Sequence, residues 1–125
     1  MKRFTFCICA LLASIICHAQ NWAELYNQSV EAYNNFEYED ARAYAEQALS
    51  DIKQNQSNPD KNFAVILRQL SLVCYDLEDN TAAVSYAKEE IETLIKIGGN
   101  QDMNFAAALQ NLAVIRMYRS EYGVA

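Results

Sequence analysis

The sequence predicts an all-α chain built from repeated antiparallel helix pairs. Three observations carry this. Shifted by 42 residues, the sequence overlays itself: Leu25 falls on Leu67, Ser29 on Ser71, Tyr33 on Tyr75, Ala41 on Ala83, Tyr44 on Tyr86 and Ala45 on Ala87. Apolar residues recur at spacings of three and four, no segment alternates as a strand does, and the 125 residues include only 3 Gly and 1 Pro. Ala41, Ala45 and Ala48 make a stripe of small side chains where an ordinary amphipathic helix carries Leu. Such a stripe lets a neighbouring helix approach closely while filling little volume itself.

Residues 1–19 read as a leader. Lys2 and Arg3 precede an uncharged apolar run from Phe4 to Ile16, and Cys17-His18-Ala19 offers small residues for cleavage after Ala19. A membrane anchor is the competing reading, but the run is too short to span a bilayer and no second apolar stretch follows. A lipid anchor on Cys17 needs a small residue before it, and Ile16 is there instead. The chain is therefore expected to be exported, periplasmic or secreted, with no transmembrane segment left after cleavage.

The helices follow in order, near residues 21–36, 38–54, 61–77, 81–97 and 103–119. Asn58-Pro59-Asp60 opens the third, with Asn58 as the capping side chain, a ring at the first helical position and an acid near the positive dipole end. Leu67, Leu70, Ser71, Cys74 and Leu77 form its stripe; Val84, Ala87, Ile91, Leu94 and Ile95 form that of the fourth. Glu78-Asp79-Asn80 is the turn within that pair, and Gly98-Gly99 stops the fourth helix. "NPDKNFAVIL" (58–67) recurs as "NQDMNFAAAL" (100–109), so a third unit begins there. The units are repeat 1 at 21–56, repeat 2 at 61–98 and an incomplete repeat 3 at 103–125. Ala125 matches Ala83, so a sixth helix only opens, which leaves Leu109, Leu112 and Ala113 partly uncovered.

Composition excludes several chemistries. Without residues 1–19 the chain keeps 8 basic and 16 acidic side chains, net −8, which disfavours nucleic acid as a partner. His18 is the only histidine, and Cys74 the only cysteine outside the leader. No Ser-His or Cys-His nucleophile pair and no zinc site follow from that set, so neither catalysis nor a cofactor is expected. Gly98-Gly99 lacks the Lys and Ser/Thr of a phosphate loop. Glu78 with Asp79, and Glu89 with Glu90, read as solvated helix surface rather than acid/base pairs. Cys74 lies on a packing stripe and reads as a buried, inert thiol. Asn27-Gln28-Ser29 matches a glycosylation sequon, but Ser29 belongs to a helix–helix contact and the leader looks bacterial.

The paired units resemble tetratricopeptide repeats, whose pattern is a small residue in the first helix, then an aromatic, then Ala at two points of the second. Ser29, Tyr33, Tyr38, Ala41 and Ala48 fill those places in the first unit; Ser71, Tyr75 and Ala83 in the second; Ala113 and Tyr122 in the third. The 42-residue period and "AAALQNLAVIRMYRSEYGVA" (106–125) are similar to the kinesin-light-chain subtype and its bacterial relatives. The resemblance covers residues 22–125. Glu90 stands where Ala48 does, Asn80 where Tyr38 does, and Arg116 where a large apolar residue is usual.

That resemblance implies an α-solenoid, a right-handed superhelix of about two and a half repeats, whose first helices line a concave groove for peptides. Carried over by position, the groove comprises Tyr26, Val30, Tyr33 and Asn34, then Arg68, Leu72, Tyr75 and Asp76, then Gln110, Val114, Met117 and Tyr118. Asn27 and Asn111 match an Asn that contacts the ligand backbone in the subtype, and Gln69 is a longer substitute. Tyr33 and Tyr75 serve equally as packing against the adjoining helix. The Lys/Asn clamp of chaperone-tail binders is absent, since Tyr26 with Val30 and Arg68 with Leu72 occupy its places. The implied role is a non-catalytic protein–protein interaction scaffold with a protein or peptide partner. The alternative is an N-terminal interaction arm of a larger exported enzyme or sensor, with a protease-like or kinase domain downstream. Self-association through the uncapped third repeat is a further expected contact.

Overall fold

The computed structural model describes residues 21–55, 58–98 and 102–121, with the backbone alone for 119–121. Residues 1–19, read above as a leader, and Tyr122 and Ala125 lie outside them. Among the described residues five α-helices follow one another: α1 Trp22–Asn34, α2 Tyr38–Asn55, α3 Lys61–Asp76, α4 Asn80–Lys96 and α5 Met103–Glu121. The expected bounds hold within about two residues, and no strand occurs among the described residues. Each helix packs on the next, and α1 also meets α3. None of these helices is long and apolar enough to cross a membrane.

Local chemistry sets the helix ends, and it repeats. Asp60 caps α3 by accepting from the Phe63 N–H at 3.0 Å, and Asp102, 42 residues on, accepts from Phe105 N–H at 3.0 Å. Asp60, not Asn58, is therefore the cap of α3. A carboxylate there satisfies an orphan N–H and faces the positive end of the helix dipole at once. The turns within the two pairs match in the same way. Phe36 and Glu78 both take left-handed backbone, at φ 62° and 63°. Around them, Glu37 N–H reaches Ala32 C=O and Asp79 N–H reaches Cys74 C=O, each at 2.9 Å. This is a Schellman-type closure, built twice without glycine. Asp79 then caps α4 through Ala82 N–H, so Asn80 belongs to the helix rather than the turn.

The small-residue stripes are buried. Ala41, Ala45, Ala48, Ala83 and Ala87 are each 0% exposed. The largest core cluster joins Leu25 of α1 and Ala45, Ala48, Leu49 and Ile52 of α2 to Phe63, Ile66, Leu67 and Leu70 of α3. A second joins Cys74, Ala83, Val84 and Ala87 to Ile115 of α5. Cys74 is fully buried, and burial pushes its thiol up to about 11. Ile95, assigned to the stripe of α4, is instead exposed. It stands next to the buried Leu94 and so points off the packed face.

A polar ladder runs through this core. Ser29 hydroxyl donates to Ala41 C=O at 2.7 Å and Ser71 hydroxyl to Ala83 C=O at 3.0 Å, tying the helices of each pair. The Gln69 amide donates to Ser29 Oγ at 3.2 Å, and the Asn111 amide to Ser71 Oγ at 3.0 Å, tying each pair to the next. All four bonds obey the 42-residue offset. A small hydroxyl is needed here because it both donates to a carbonyl and accepts from an amide in a space that admits no larger side chain.

Candidate interaction groove

An open groove of about 290 Å³ lies between α3 and α5, lined by Arg68, Leu72, Ala107, Gln110, Asn111 and Val114. Five of these six are groove candidates from the sequence. Leu72 is half-buried and Val114 is 47% exposed, so the floor is apolar and wet. Gln110 and Asn111 supply carboxamides, Arg68 a guanidinium. Ala107 carries no chemical signal of its own; only its position one helical turn before Asn111 marks it.

Arg68 is not a free cation. Its Nε lies 2.9 Å from Glu90 Oε2, and its Nη2 donates to the Asn104 carbonyl at 2.7 Å. One side chain of α3 thus bridges α4 and α5. Glu90 is 1% exposed, which corrects the reading of Glu89 and Glu90 as solvated surface. The long side chain standing in a small-residue position is swallowed by the core and kept there by Arg68. Burial raises the Glu90 carboxyl above the usual carboxylate range, and the facing Arg68 opposes that shift. The pairing was findable in sequence as a lone acid in an alanine position with a lone arginine on the preceding helix.

The remaining candidates divide. Gln69 is 7% exposed and held by Ser29, so it is a ladder residue and cannot line an open groove. Asn111 shares that ladder role through Nδ2 while still bordering the groove. Asn27, its counterpart in α1, is exposed, as is Asn34. Tyr26 packs half-buried against the main core, and Val30 is half-buried. Tyr33 donates from its hydroxyl to Asp76 at 2.5 Å, and its ring lies 5.4 Å from that of Tyr38. Burial, then the bond to Asp76, raises the Tyr33 phenol well above its ordinary value. Forty-two residues on, Tyr75 meets Tyr118 edge-to-face at 5.5 Å. Both tyrosines therefore pack on a neighbouring helix, and Asp76 and Tyr118 are their supports. Met117 is 66% exposed.

Among the described residues, no group of three or more His, Cys, Asp or Glu side chains could hold a metal ion. No protein-family model matches the chain, and none of the curated proteins compared with it matches significantly.

Proposed function

We propose that this chain is a tetratricopeptide-like α-solenoid that serves as a non-catalytic interaction module, exported and presenting a peptide groove. The observation that carries this reading is the groove between α3 and α5, where Arg68, Leu72, Gln110, Asn111 and Val114 converge. Apolar floor, carboxamides and a tethered arginine suit a peptide: side chains sink onto Leu72 and Val114 while the amides meet backbone groups. The 42-residue recurrence of caps, turns and ladder bonds supports the repeat architecture. The basic start at Lys2 and Arg3 and the apolar run from Phe4 to Ile16 support export.

The test is selection of a peptide library displayed on phage against the chain. Enriched peptides should lose binding to Leu72→Asp and Val114→Asp chains, and keep it on Phe36→Asp, which alters an exposed apolar residue elsewhere. No enrichment, or equal loss on all three, would refute the groove.

A further inference from the structure

The ladder that ties the helix pairs together also decides which way one groove amide points. Ser71 has a single hydroxyl proton, and it goes to the Ala83 carbonyl at 3.0 Å. The Ser71 oxygen can then only accept. Asn111 meets that oxygen at 3.0 Å, so its Nδ2 must be the donor. Turning the carboxamide over would lose this bond and set two oxygens against each other. Asn111 is half-buried and borders the groove. Among the described residues nothing donates to its Oδ1, and that atom is not sealed from water. A backbone carbonyl two hydrogen bonds away thus makes Asn111 an acceptor of fixed direction.

The α3 wall of the groove has the opposite polarity. Arg68 carries donors only. Its Nε is held by Glu90 and its Nη2 by the Asn104 carbonyl, and among the described residues Nη1 has no acceptor. One repeat earlier the same ladder is closed to ligand. Gln69 donates to Ser29 as Asn111 does to Ser71, but Gln69 is 7% exposed and lies outside the groove lining. The first rung is therefore structural alone, which makes it a control for the second.

We propose that Ser71 is a positioning residue for the groove: it holds Asn111 as an acceptor, so the ligand must bring an N–H to that point. On the α3 side the ligand must bring an acceptor to Arg68. An unsubstituted peptide unit does both, because a trans amide presents its N–H and C=O on opposite sides. The inference rests on the peptide-groove reading and adds which backbone the groove admits. A proline or an N-methylated residue has no N–H to offer. Seated at Asn111, it would strip water from Oδ1 and put nothing in its place.

The probe is a library-selected peptide whose binding depends on Leu72 and Val114, with each of its amides N-methylated in turn. On the unaltered chain, methylation at one position should weaken binding by about tenfold or more. Ser71→Ala frees the Asn111 carboxamide to turn over, so the penalty at that same position should shrink to about threefold or less. Ser29→Ala removes the equivalent hydroxyl from the closed rung and should leave the full penalty in place. In the free chain, nuclear magnetic resonance should find the Asn111 Nδ2 protons protected from exchange, and Ser71→Ala should release them. No sensitive amide, an equal penalty on the unaltered and Ser71→Ala chains, or the same shrinkage with Ser29→Ala would each overturn the proposal. Unprotected Asn111 protons in the free chain would overturn it without any ligand. That measurement decides the orientation even if no peptide depends on Leu72 and Val114, an outcome that would sink the groove reading by itself.

Discussion

α1 and α5 occupy the two ends of the same row of helices and meet water with opposite chemistry. The outward side of α1 and its cap shows exposed Asn21, Glu24 and Glu31 with a half-buried Gln28, where α3 at the same register buries Phe63, Ile66, Leu70 and Val73. α5 keeps the inward half of that pattern, burying Ala108 and Ile115 against α3 and α4. Its other side exposes Leu109, Val114 and Met117. One end is finished with polar side chains and the other carries apolar surface available for contact. The same register thus carries polar side chains on α1 and apolar ones on α5, by substitution at a handful of positions.

Register-equivalent substitutions sharpen that contrast. Leu67 is 0% exposed and Leu109, 42 residues later, is 46% exposed. Leu67→Ala should cost about 2–5 kcal/mol by opening a cavity, whereas Leu109→Ala should stay within about 0.5 kcal/mol in the monomer. Urea unfolding of both variants checks the pair. Equal losses would show that the two ends are packed alike.

Small residues offer the next comparison. Ala83 is 0% exposed beneath Ser71, while Ala113, the counterpart of Ser71 in α5, is exposed. Ala83→Leu should overpack the helix contact and destabilise by about 1–3 kcal/mol. Ala113→Leu should leave thermal stability nearly unchanged. A neutral Ala83→Leu would mean that the small-residue stripe does not govern the approach of paired helices.

The smallest effect expected is in pH dependence, and it lies at the junction between the ends. Glu90 has a carboxyl raised above its unfolded value, chiefly by burial. Between the ordinary carboxylate value and the raised one, the folded chain retains a proton that the unfolded chain has released. Stability contributed by Glu90 therefore falls as pH rises through that window and levels off above it. Glu90→Gln should flatten this part of the stability profile, read from thermal melts across mildly acidic pH. An unchanged slope would place the titrating group elsewhere.

How far the fold could be read from residues alone follows from what each signal encodes. Helix positions were legible because Leu67, Leu70 and Cys74 repeat with the helical period and because the whole pattern recurs. The buried alanines were legible for the same reason. The cap of α3 was misassigned to Asn58 because Asn58 and Asp60 are both capping types two residues apart, and both recur at 100 and 102. Only backbone geometry decides between them. Gln69 was misread because its position was carried over from a ligand-contacting Asn, while its amide in fact reaches Ser29. Periodicity marks which side of a helix is covered, but not which neighbour an amide will bond. Glu90 was missed because charge argues for the surface unless the opposing arginine is considered with it.

The most direct test of the claim that one register builds an interior and two unlike ends is amide hydrogen exchange, resolved by helix, in dilute monomer. α3 packs against α2 and α4, so its amides should exchange slowest, at rates set by global unfolding. α5, covered by α3 and α4 on its buried side only, should exchange fastest of the interior-facing helices. Exchange in α5 as slow as in α3, in a chain kept monomeric by dilution, would contradict the account.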